Sequence, residues 1–76
     1  MKELIELMAK ALVNKPEEVM VREIHGERSL MIQLKVAKDD TGKVIGKHGR
    51  TAQAMRDILS AASMKIDKRS VLEILD

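Results

Sequence analysis

Gly46-Lys47-His48-Gly49 sets two glycines around two polar residues. Neither glycine carries a Cβ, so a ligand strand can approach the backbone closely, and both can take conformations closed to other residues. The run that follows, Arg50-Thr51-Ala52-Gln53-Ala54-Met55-Arg56, reads as a helix start whose unpaired N–H groups and positive dipole end point at the same spot. Lys43, Lys47, Arg50 and Arg56 add four positive charges between residues 43 and 56, with no acid among them. Residues 1 to 37 instead hold six basic and six acidic side chains, which cancel. A solvated helix face can also show such a charge run, but its coincidence with the glycine pair favours a cradle for phosphates.

Other chemistries fit these residues poorly. Gly42 to His48 reads Gly-x-x-x-Gly-Lys-His, which is short of the Walker spacing and has His48 where a magnesium-binding Ser or Thr is needed. His25 and His48 lie far apart in sequence and the chain has no cysteine, so no metal-ligand spacing exists. Asp39 and Asp40 are adjacent, which does not suit an acid and base across a substrate. No catalytic residue, metal or cofactor is expected. Phe, Tyr and Trp are absent, so bases cannot be stacked on aromatic rings as in many single-strand binders. Met8, Met20, Met55 and Met64 are expected to fill the core in place of rings.

The elements that must position the loop follow from periodicity. Seventy-six residues with a net charge of +2 suit one domain with a modest core. Acids within Met1-Lys2-Glu3-Leu4-Ile5-Glu6 argue against a signal peptide, no long apolar run follows, and a cytoplasmic location is expected. Leu4, Ile5, Met8, Ala11 and Leu12 form a helical stripe that should end near Asn14, ahead of Pro16. Val19 to Ile24 reads as a strand, and His25-Gly26-Glu27-Arg28 as a turn in which His25 has no evident partner. Leu30, Ile32, Leu34 and Val36 alternate with Met31, Gln33 and Lys35, giving a strand over 29–37.

Asp39-Asp40-Thr41 offers N-cap oxygens for a short helix that stops at Gly46. A longer helix runs from Arg50 to Met64 with Met55, Ile58, Leu59 and Ala62 on one face, and Ala52 and Ala54 allowing close approach. Lys65 to Arg69 is a basic loop and Ser70 to Leu75 a last strand. The resulting α+β class has the order α-β-β-α-α-β, three helices on one face of a three-stranded mixed sheet, and an open opposite face. Either Leu72 and Ile74 or Val71 and Leu75 face inward, since both pairs are apolar. A pair left beside Met31 would form an exposed apolar patch.

Val44-Ile45-Gly46-Lys47-His48-Gly49 in this element order resembles a KH domain of the type II, prokaryotic arrangement. The resemblance covers residues 1–76 as a single KH domain. With Ile58-Leu59-Ser60-Ala61-Ala62 and the short length, it is similar to the small single-KH RNA-binding proteins of bacteria. It implies single-stranded RNA held by a glycine loop that clamps about four nucleotides by their backbone. By position, Gly46 and Gly49 would admit the backbone and Lys47 and His48 would face phosphate, with Lys43, Arg50 and Thr51 flanking. Val44, Ile45 and Ala52 would line the base side, although Val44 and Ile45, as helix residues just before a glycine stop, read more readily as core. Lys65, Lys68 and Arg69 would belong to a variable loop across the groove. Many KH domains carry a bulkier aliphatic residue at the position of Ala52, so a shallow floor and weak base discrimination are implied. The family further implies a homodimer or a heterodimer with a larger KH-containing protein, and an RNA chaperone or regulator affecting cell shape and division. A protein-interaction module with RNA secondary is the alternative.

Overall fold

The computed structural model describes residues 1–75. Helix α1 spans Lys2–Leu12, strand β1 Met20–His25, strand β2 Ser29–Lys35, helix α2 Thr41–Ile45, helix α3 Arg50–Met64 and strand β3 Arg69–Leu75. Single 3-10 turns at Pro16–Glu18, Lys38–Asp40 and Lys47–Gly49 link them. The sheet order is β1-β2-β3, with β1 antiparallel and β3 parallel to β2. A parallel neighbour needs a crossover, and α2 with α3 supplies it. This α+β architecture is the type II KH arrangement.

Leu30, Ile32 and Leu34 from β2 are essentially inaccessible and meet Ile5 and Ala9 of α1, Val44 of α2, and Met55 and Leu59 of α3. Each of these side chains but the smaller Ala9 contributes roughly 1.5–3 kcal/mol by leaving water. Leu72 is buried and Ile74 packs against the same cluster, whereas Val71 is exposed, which resolves the direction of β3.

Several expected core residues lie outside. Met55 is buried and Met8 packs on the core, but Met20 and Met64 are exposed. Met20 occupies an outward position of β1, and Met64 ends α3 beyond the sheet. The stripe of α1 runs through Ile5, Met8 and Ala9, leaving Ala11 and Leu12 exposed. On α3 the buried positions are Ala52, Met55, Leu59 and Ser63, so Ile58 and Ala54 face solvent. The first helix stops at Leu12 and the second strand at Lys35, short of the expected Asn14 and residue 37, and Arg69 opens β3 instead of closing a loop.

Asp40 does not cap α2 with its side chain. Its buried carboxylate instead accepts the backbone amides of Asn14 at 3.2 Å and Lys15 at 3.0 Å. Both oxygens are thereby satisfied, and the end of α1 is tied to the start of α2.

Candidate nucleic-acid interface

The loop between α2 and α3 is set by backbone conformation. Gly46 has φ 78° and ψ 170°, a region essentially reserved for glycine. A Cβ there would also strike Thr51, lying 2.6 Å from its Cβ and 2.9 Å from its amide nitrogen as well as against Oγ1. Gly49 is left-handed at φ 73°, yet a Cβ on it would meet nothing within 4 Å. The two glycines therefore differ: Gly46 is needed by the protein's own packing against Thr51, and only Gly49 leaves open space for a ligand. His48 is also left-handed, at φ 58°.

The Gly46 amide donates to the Gly42 carbonyl at 2.9 Å and that of Gly49 to the Gly46 carbonyl at 3.1 Å. Among the described residues, the amides of Lys47 and His48 have no backbone acceptor outside the helices, and no side chain caps α3. These donors and the positive end of α3 converge on one exposed corner. Lys43, Lys47 and Arg50 are exposed around it, and none forms an ion pair among the described residues. Arg56 is turned elsewhere, its Nη2 donating to the Leu72 carbonyl on the outer edge of β3 at 3.3 Å.

The apolar side of this corner is narrower than expected. Val44 is fully buried and Ala52 is 3% exposed, so both serve the core and present no useful surface to a base. Ile45, at 39%, is the accessible one. Lys65, Lys68 and Arg69 are not opposite the loop. They stand at the other end of α3, whose fifteen residues at about 1.5 Å each put roughly 20 Å between them and Arg50.

Lys68 and His25 belong to a network there. Lys68 Nζ lies 2.8 Å from His25 Nδ1, and His25 Nε2 lies 2.8 Å from Glu23 Oε1. An ammonium only donates, so Nδ1 accepts and Nε2 carries the proton given to Glu23. The other Glu23 oxygen accepts the Lys2 amide at 3.0 Å and lies 3.6 Å from the N-terminal ammonium. The hydrogen bond from His25, with the Lys2 amide and the ammonium, holds the Glu23 carboxyl below its ordinary value against the opposing push of burial. His25 is thus a structural link, visible only once β1 and the loop before β3 are brought together.

Among the described residues no helix is long and apolar enough to cross a membrane, and no three His, Cys, Asp or Glu residues are grouped to hold a metal. The KH-domain family described as KhpA/KhpB matches residues 2–74. RNA-binding protein KhpA of Clostridium perfringens is 53% identical over 75 residues, covering 99% of this chain and all of that one. Proteins of the same name from Caldanaerobacter subterraneus and Aquifex aeolicus are 55% identical over 75 residues and 51% identical over 76. These alignments cover 99% and 100% of this chain, and 100% and 96% of theirs. No solved structure matches the chain. With the family matched from the first helix through the last strand, and relatives alike over their full length, the chain belongs to the KhpA/KhpB family of KH domains.

Proposed function

We propose that this chain is a non-catalytic, cytoplasmic RNA-binding protein that grips the backbone of single-stranded RNA at Gly46 to Gly49. It acts as an RNA chaperone or post-transcriptional regulator together with a larger KH-containing partner of the KhpB kind. The observation that carries the reading is the corner itself. Among the described residues, the amides of Lys47 and His48 with no backbone acceptor outside the helices, the start of α3 with no side-chain cap, the open space at Gly49 and three cations in no ion pair meet there. Relatives at about half identity are named RNA-binding proteins. Ile45 is the accessible apolar residue of the corner, so phosphate contacts dominate and sequence preference is weak.

Titration of a fluorescent single-stranded RNA tests this. Gly46 is unsuitable for substitution, because a side chain there collides with Thr51. Gly49→Asp with Lys47→Asp keeps the fold, since Asp tolerates the left-handed region, and should weaken binding by about tenfold or more. Equal affinity in wild type and variant refutes the loop assignment.

A second reading is favoured by the open sheet face. Ile24, Met31 and Val71 lie side by side across β1, β2 and β3, with Ile24 43% and Val71 49% exposed. Next to them Arg22, Gln33 and Glu73 form a polar row in which Gln33 donates to Glu73 at 2.8 Å. Such a surface suits self-association. Light scattering of wild type and Met31→Lys should give a dimer and a monomer, and a monomeric wild type at high concentration removes this reading. Loss of the dimer in Ile58→Lys alone would move the interface to α3.

A further inference from the structure

We infer that the depression at the hairpin end of α3 is a second phosphate site for the same RNA strand, with Arg28 and Arg69 as its contacts. This rests on the reading of the chain as a single-strand RNA binder. The depression measures about 730 Å³ and lies between the β1–β2 turn, the end of α3 and the start of β3. Arg28, Lys68 and Arg69 line it against one carboxylate, Asp67.

The two arginines are held together by the fold. The Arg69 amide donates to the Arg28 carbonyl at 2.9 Å, and Ser29 pairs with Arg69 in the parallel ladder. Neither guanidinium forms an ion pair among the described residues. Lys68 is engaged with His25. Two adjacent like charges fixed by backbone pairing are unfavourable until an anion enters, and the guanidinium fork matches phosphate oxygens.

A second depression extends from this place along α3 toward the glycine loop and ends at Gln53, one helical turn short of Arg50. This smaller depression of about 340 Å³ follows α3 and the edge of β3, shares Ser60 and Ser70 with the first, and carries Arg56 beside one carboxylate, Asp57. Among the described residues that edge carries no further strand, and Arg56 marks its midpoint through Leu72. Roughly 20 Å of α3 separates the ends, so a strand clamped at Gly46 to Gly49 reaches the arginines only if it extends past the clamped nucleotides.

Fluorescence anisotropy with single-stranded RNAs of about four and about ten nucleotides separates the possibilities. Wild type should bind the longer strand tighter by more than its extra registers explain. Arg28→Glu should reduce long-strand affinity about fivefold and make the salt slope shallower by about 0.7, one phosphate contact on a single strand, with the short strand unaffected. Arg28→Gln should fall between. If Arg28→Glu leaves the ratio of long to short affinities unchanged, the second site does not exist, although binding to the loop stands. If wild type binds neither strand, the RNA reading fails and this inference with it. Equal losses on both strands mean a general field effect and also overturn it.

Discussion

The two ends of α3 are both basic, but they are built in opposite ways. At the glycine-loop end the backbone is constrained, with three positive φ angles among Gly46, His48 and Gly49, while the cations form no ion pair among the described residues. At the hairpin end Asp67 alone is left-handed, and side chains do the holding: Lys68 to His25, His25 to Glu23, Glu23 to the start of α1. A backbone fixed by glycine keeps side chains and amides free for a ligand. A network made from side chains takes Lys68 out of use, which leaves Arg28, Lys65 and Arg69 as the charges in no ion pair among the described residues, and of these Arg28 and Arg69 line the depression.

The largest expected effect of breaking this contrast comes from Gly46→Ala. Its φ and ψ cost an alanine about 1–3 kcal/mol, and the collision with Thr51 adds a comparable overpacking penalty. A loss of about 3–5 kcal/mol should appear in urea denaturation. A loss under 1 kcal/mol would mean that the loop relaxes freely and is not constrained by its backbone.

Asp40→Ala should rank next. Removing the carboxylate orphans the amides of Asn14 and Lys15 and leaves a buried gap, for about 2–3 kcal/mol. Asp40→Asn retains one acceptor and should recover part of it. Equal losses in the two variants would show that packing, and not hydrogen bonding, ties α1 to α2.

Gly49→Ala isolates the conformational cost, because no atom stands within 4 Å of the new methyl group. About 1–2 kcal/mol is expected for the left-handed residue alone. Equality with Gly46→Ala in the same denaturation series would remove the distinction between the glycines.

Local signals were legible where they implied their own geometry. Alternation in 29–37 marked Leu30, Ile32 and Leu34 as inward, and the spacing after Gly49 bounded α3 at Arg50 and Met64. The glycine loop was readable because its chemistry is contiguous. Features that depend on register or on distant partners were not. Met20 and Met64 are apolar by type, but only the side of the strand and the reach of the helix put them in water. Asp40 finds its donors 25 and 26 residues away, and Lys68 meets a histidine 43 residues away. The far placement of Lys65 to Arg69 follows from α3 running back along the sheet after the crossover, which no local pattern states. Ala52 reads as a groove residue from its place in the motif, yet the core takes it; Val44 is buried as its position just before the glycine stop suggests, whereas Ile45, which shares that position, stays accessible.

The smallest effect concerns the hairpin end and its pH response. Glu23 has its folded carboxyl pKa lowered from the ordinary 4.5, first by the bond from His25. A depressed carboxylate contributes stability that is fully present above its unfolded value and disappears as pH falls through the folded one. Wild type should therefore exceed Glu23→Gln in urea midpoint by a constant margin near neutrality. That margin should shrink below about pH 4.5 and vanish once the folded carboxyl is protonated. His25→Ala removes the leading cause, so the Glu23 carboxyl, followed by its NMR chemical shift, should titrate closer to 4.5 in that variant than in wild type. An identical titration in both would assign the depression to the Lys2 amide and the N-terminal charge. It would also confine the side-chain network to Lys68 and His25, with the start of α1 still held to Glu23 through the Lys2 amide and the N-terminal ammonium.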